Sequence, residues 1–82
     1  MKKIIVDVRT EAEWNEGHAP CSVHIPLDTI ETKADELREY DEIVVVCRSG
    51  ARSGHAKILL EEMGLTNIEN LGPWQNITCK NK

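Results

Sequence analysis

Residues 43–53 read Ile43-Val44-Val45-Val46-Cys47-Arg48-Ser49-Gly50-Ala51-Arg52-Ser53. A β-branched apolar run that breaks at a cysteine into Gly, Ser and Arg predicts a buried strand, a tight loop and a helix start. The helix pattern follows at once. Ala56, Leu59, Leu60 and Met63 recur at i, i+3, i+4 and i+7, and Gly64 stands where a helix would close. Such a junction stabilises a thiolate: loop N–H groups can turn inward as an anion-binding nest, and the helix N-terminus adds partial positive charge. Both lower a thiol's pKa, and the thiolate is the nucleophilic form. The competing reading is a buried strand-end cysteine acting as a small hydrophobe. The small, cationic and Gly residues after Cys47 favour the reactive one.

Outward from this stretch, short apolar runs alternate with helical patterns. Ile4-Ile5-Val6 through Val8 reads as a strand buried on both faces. Thr10-Glu11-Ala12-Glu13 is a capping box opening a short helix that Gly17 ends. Val23-His24-Ile25 is a short strand stopped by Pro26, and Asp28-Thr29-Ile30-Glu31 predicts a second capped helix running to about Tyr40. Asn67 to Leu71 forms a weaker last strand, and Pro73-Trp74 begins a last helical turn. Strand–helix–strand units of this length imply right-handed crossovers. The fold class is therefore α/β: a central, mainly parallel sheet flanked by helices on both faces. Ligands in such sheets bind beyond the carboxyl ends of the strands, the edge that holds Asp7-Val8-Arg9 and Cys47.

Residues 1–82 make one domain. The net charge of −4 argues against nucleic-acid or anionic-membrane partners, which need a basic face. No apolar stretch approaches the ~20 residues of a membrane span. The basic start, Met1-Lys2-Lys3, meets Asp7 and Arg9 too soon for a signal peptide. The chain reads as cytoplasmic, the alternative being a mature exported domain carrying a new Met. Three cysteines exclude a complete disulfide framework, and in a reducing compartment all three would be free thiols. Cys21, in a Pro-containing loop, and Cys79, near the terminus, are expected to be exposed bystanders. Cys21 and His24 have Cys-x-x-His spacing, but no second pair completes a zinc site, so no metal or cofactor is expected.

Around Cys47, Arg48 and Arg52 supply positive charge for an anionic substrate, although a lone arginine is by default a solvated one. Gly50 and Gly54 permit backbone angles that other residues resist. Ser49 and Ser53 can donate hydroxyl hydrogen bonds or cap the helix. In order along the chain, Asp7-Val8-Arg9, Glu13-Trp14, Gly17-His18-Ala19, Ile25-Pro26-Leu27, the strand ending at Cys47, the loop through Arg52, Ser53-Gly54 with Ala56, and Glu62-Met63-Gly64 resemble a single-domain rhodanese over nearly the whole length. Among small members the chain is most similar to the phage-shock-type bacterial rhodaneses.

That resemblance implies a sulfurtransferase fold in which Cys47 accepts a sulfane sulfur and becomes a persulfide. It implies a six-position loop, Cys47 to Arg52, whose backbone N–H groups cradle that persulfide, with Arg48, Ser49, Gly50, Ala51, Arg52 and Ser53 as substrate-binding positions. The related phosphatases carry a loop one residue longer, with their essential arginine six places after the cysteine; here Arg52 comes five places on. Asp7 is expected to accept hydrogen bonds that fix neighbouring loops, Arg9 to pair with an acid, and His18 to support a turn. Where relatives carry a Gly-Gly pair, this chain has Gly72-Pro73-Trp74, and Trp74 is expected to pack on the core. The expected partners are a small anionic donor such as thiosulfate and a thiol or an acceptor protein, with the chain a monomer. The alternative to an enzyme is a catalytically weak sulfur-carrier module that hands its sulfur to a partner protein.

Overall fold

The structure is a computed structural model, and it describes residues 2–79. Four strands form one sheet: β1 (Lys3–Asp7), β2 (Val23–His24), β3 (Glu42–Cys47) and β4 (Ile68–Pro73). Their order is β2-β1-β3-β4 and every pairing is parallel. Between them lie α1 (Glu11–Glu16), a 3₁₀ segment (Leu27–Lys33) running into α2 (Ala34–Leu37), and α3 (Ala51–Glu62). A final 3₁₀ turn covers Trp74–Asn76. Among the described residues, no helix is long and apolar enough to cross a membrane.

Strand alternation divides the interior. Val6, Val8, Ile43, Val45 and Cys47 face the main core, where Ile30, Leu37, Ala56 and Leu60 meet them. Asp7, Val44 and Val46 point the other way and are buried too. Right-handed crossovers explain the split. The chain moves from β1 to β2 in one direction but from β2 to β3 and from β3 to β4 in the opposite one, so α1 covers one face and the other helices cover the second.

The first capping box forms as the sequence predicts. The Thr10 hydroxyl accepts from Glu13 N–H at 3.3 Å, and the Glu13 carboxylate accepts from Thr10 N–H at 3.0 Å. None of the residues of α1 is buried, so propensity alone cannot hold it. A stack of rings anchors it instead: Trp14 lies parallel to His18 at 3.5 Å and to His24 of β2 at 4.9 Å, centroid to centroid.

The second predicted capping box does not form. Leu27 N–H is bound to Val8 O, which ties the segment to the end of β1. The Thr29 and Thr32 hydroxyls donate to the carbonyls of Pro26 and Thr29. Threonine side chains that bond back three residues favour the tighter winding, and the result is 3₁₀ with only one α turn after it.

Two expectations about the C-terminal region are corrected. Cys21 and Cys79 are joined in a disulfide, with Cα atoms 5.8 Å apart across 58 positions, rather than standing as separate exposed thiols. Because Cys21 precedes β2 and residue 74 follows β4, the chain from Trp74 to Cys79 straps across the sheet from one edge to the other. Trp74 does not enter the core. Its half-buried ring lies against the Arg9 guanidinium at 4.7 Å, above Gly17.

Candidate active site

β3 delivers Cys47 to the carboxyl edge of the sheet with its side chain inside, wholly screened from solvent. The chain then turns through Arg48 and Ser49 to Gly50, whose φ of +102° lies in the left-handed region. A side chain there would also meet the backbone: an added Cβ stands 3.3 Å from Gly72 Cα. Only glycine fits both demands. Gly50 is the residue that precedes α3, and neither Ser49 nor Ser53 caps the helix through its side chain. What Gly50 caps instead is the sulfur: its N–H donates to Cys47 Sγ at 2.9 Å.

Burial pushes the Cys47 thiol up. The Ser53 hydroxyl and the backbone N–H groups of Ser53, Gly50 and Ser49 more than offset that, and hold it down at about 7. The Ser53 hydroxyl carries one proton and has two acceptors, Asn70 Oδ1 at 2.6 Å and Cys47 Sγ at 3.5 Å. The sulfur must compete for that proton, whereas the loop N–H groups are committed to it.

Asn70, which the sequence marks only as part of a weak strand, organises this corner. Its Nδ2 donates to Gly50 O at 3.1 Å, and its Oδ1 accepts from Gly72 N–H at 3.0 Å as well as from Ser53. A bulge makes that reach possible. Val45 pairs with Asn70 but Val46 pairs with Gly72, so Leu71 is an extra residue and β4 bends towards the loop.

Arg52 and Arg48 are placed differently. Arg52 makes a bidentate pair with Glu13, Nη1 to Oε1 at 2.7 Å and Nη2 to Oε2 at 2.9 Å. Through that pair the Arg52 guanidinium holds the Glu13 carboxyl down at about 2. Arg48 is exposed and makes no salt bridge among the described residues. With Trp74, Gly17 and Arg9 it lines a cleft of about 240 Å³ beside the loop. Ala51, the first residue of α3, is exposed.

The supporting residues lie beneath. The Asp7 carboxylate accepts from Arg9 N–H at 3.0 Å and from Arg9 Nε at 2.9 and 3.0 Å, with Nη2 at 2.8 Å. Both residues are buried, so the pair is a fixed strut rather than a surface contact. Arg9 Nη2 also donates to Gly17 O at 2.7 Å, which binds the end of α1 to the strut. His18 Nδ1 lies 2.8 Å from Trp14 O at the same turn, and His24 Nε2 lies 2.8 Å from Arg9 O. Both imidazoles thus serve the backbone. Among the described residues, no cluster of three or more His, Cys, Asp or Glu could hold a metal ion.

Comparison with known proteins matches residues 1–75 to the rhodanese-like domain family. The chain is 42% identical over 69 residues to the "Putative sulfur carrier protein YrkF" of Bacillus subtilis, covering 84% of this chain but 37% of that protein. It is 32% identical over 74 residues to thiosulfate sulfurtransferase PspE of Escherichia coli, covering 88% of this chain and 71% of that one. Among solved structures, a rhodanese with anions from E. coli superposes with a TM-score of 0.84 at 30% identity, over 95% of this chain and 94% of that one. The fold thus has a counterpart among solved structures.

Proposed function

This chain belongs to the rhodanese-like domain family, and from that premise we propose that it is a sulfurtransferase working through a Cys47 persulfide. The observation that carries the reading is the Cys47 sulfur, held by the Gly50 N–H at 2.9 Å and poised near neutrality in a six-position loop. A thiolate stabilised by loop N–H groups needs no general base. The same groups can hold a terminal persulfide sulfur, which is also an anion.

The proposed donor is thiosulfate, the substrate named for the E. coli relative. The Cys47 thiolate attacks the outer sulfur, a new S–S bond forms, the S–S bond within thiosulfate breaks, and sulfite leaves with the electron pair. An acceptor thiolate or cyanide then attacks the outer sulfur of the persulfide, and Cys47 departs as the thiolate. No external oxidant or reductant enters either step. Arg48, without a carboxylate partner among the described residues, attracts the anion. Ser49, Gly50, Ala51 and Ser53 shape the cradle, and Arg52 acts by fixing the loop to α1 through Glu13. That engagement also disfavours phosphate transfer, which would need the arginine over the cysteine.

Intact-mass spectrometry after thiosulfate treatment tests this. A gain of about 32 Da, one sulfur atom, is expected on the native chain and not on Cys47→Ser. Failure to gain it, or a gain retained in the variant, overturns the reading. A sulfur-carrier role is favoured by one observation, the name of the 42%-identical relative. Stoichiometric loading with negligible thiocyanate formation from cyanide would select it over the enzyme.

A further inference from the structure

A second, larger cleft borders the Cys47 loop. It measures about 820 Å³, within the range of ~300–1,000 Å³ usual for ligand sites, and lies between the β1–α1 connection, the 3₁₀ segment and the start of α3. Arg9 lines both clefts, and the Glu13–Arg52 pair stands between them, with Glu13 in the smaller and Arg52 in the larger. Arg52 is thus at once the end of the Cys47 loop and a wall of the second cleft.

The two clefts differ in charge. In the smaller, the exposed Arg48 is set against a single exposed carboxylate, Glu16, and neither makes a salt bridge among the described residues. The larger has an apolar floor that includes Val8, Leu27 and Leu59, and its rim carries the exposed carboxylates of Glu11, Asp28 and Glu31. None of these three makes a salt bridge among the described residues. Arg52 is already neutralised by Glu13 and Arg9 by Asp7, which leaves His55 as the one further titratable side chain in the lining. An acidic rim repels thiosulfate and sulfite and attracts a basic partner.

We propose that this cleft docks the sulfur acceptor, and that the acceptor is a protein segment carrying lysine or arginine beside its reactive cysteine and an apolar side chain for the floor. The proposal rests on the sulfurtransferase reading of Cys47 and gives its two half-reactions separate entrances: the anionic donor on the Arg48 side, the cationic acceptor on the Glu11–Asp28–Glu31 side. In the second half-reaction the acceptor thiolate attacks the outer persulfide sulfur and a new S–S bond forms on the acceptor. The bond from Cys47 Sγ to that sulfur breaks, and Cys47 takes the electron pair. The three rim acids give the incoming segment its orientation and touch no reacting atom.

The test uses the full chain, loaded with thiosulfate and freed of excess donor. Two synthetic peptides of equal length serve as acceptors, each with one central cysteine and one leucine, flanked by lysines in one and by glutamates in the other. Loss of about 32 Da from the protein reports transfer. Flanking lysines activate a thiol by themselves, so the number that decides is the basic-to-acidic rate ratio of the native chain against that of the variant Glu11→Gln, Asp28→Asn, Glu31→Gln, at equal loading. The ratio is expected to fall at least five-fold in the variant, and the native ratio to shrink similarly in 0.5 M salt, roughly the regime where surface charge is screened within ~5 Å. A control variant, Glu61→Gln with Glu62→Gln on the far part of α3, should keep the native ratio. An unchanged ratio in the triple variant, or an equal fall in the control, overturns the docking proposal alone. Failure of Cys47 to load overturns the sulfurtransferase reading and this proposal with it.

Discussion

The Arg52 guanidinium and the Glu13 carboxylate, 39 positions apart, meet face to face through two parallel hydrogen bonds of 2.7 and 2.9 Å. Glu13 is also the acidic member of the capping box, accepting from the Thr10 N–H. One carboxylate therefore starts α1 and ties it to the end of the Cys47 loop. A planar bidentate contact fixes orientation as well as distance.

Glu13→Gln keeps the cap acceptor but removes the charge. Both partners are partly exposed, so the loss at pH 7 is expected to be no more than about 1 kcal/mol. The pH dependence carries a sign. The Glu13 carboxyl is held at about 2 in the fold against an ordinary 4.5, so its contribution is complete above pH 4.5 and is lost as the pH falls towards 2. Urea unfolding at pH 7, 4 and 2.5 should show the native chain's advantage over the variant shrinking in that window. An advantage constant with pH would refute the ion-pair account.

Alkylation of Cys47 by iodoacetamide should rise with pH about a midpoint near 7 rather than at the ordinary 9. Ser53→Ala removes one hydroxyl donor and moves the midpoint up. The loop N–H groups remain, so the midpoint should stay below 9. A midpoint unchanged by the substitution would mean that Asn70 keeps the Ser53 proton throughout.

Asn70→Asp preserves shape while removing the Nδ2 donor to Gly50 O and adding a negative charge near the sulfur. Both effects oppose a thiolate. The alkylation midpoint should rise further than in Ser53→Ala, with a stability loss of about 0.5–1.5 kcal/mol for one lost hydrogen bond, since Gly50 O keeps its bond from Gly54 N–H. Thiol reactivity equal to that of the native chain would show that the bulge, and not the carboxamide, holds the loop.

Reducing the Cys21–Cys79 disulfide releases the strap that carries Trp74. Cross-links closing loops of this length typically stabilise by about 2–4 kcal/mol, and unfolding in urea with and without dithiothreitol should show a loss in that range. Trp74 fluorescence should shift as its ring leaves the Arg9 guanidinium. No change in unfolding midpoint on reduction would show that the strap is held without the bond.

Much of this architecture was legible in residue pattern. β1 and β3 follow from β-branched runs, α1 from its capping box, and the Cys47 junction from Gly and Arg after an apolar strand. The misreadings have physical causes. Asp28 to Glu31 has capping-box spacing, but Pro26 and two threonine hydroxyls offered a tighter alternative. Met63 completes a helical stripe on paper, yet it lies past the last residue of α3 and is 36% exposed. The Cys21–Cys79 link, the Asn70 hub and the Glu13–Arg52 clasp join residues 58, 17 or 20, and 39 positions apart, and no local pattern encodes such meetings.

With Cys21 and Cys79 bonded to each other, Cys47 is the one cysteine of this chain left with a free sulfhydryl. Among the described residues, a persulfide formed there finds no second free thiol to resolve it into a disulfide and expel hydrogen sulfide. The strap thus acts as chemical insulation. Sulfur taken up at Cys47 waits for a second molecule, and the lifetime of the loaded state is set by whoever arrives to collect it.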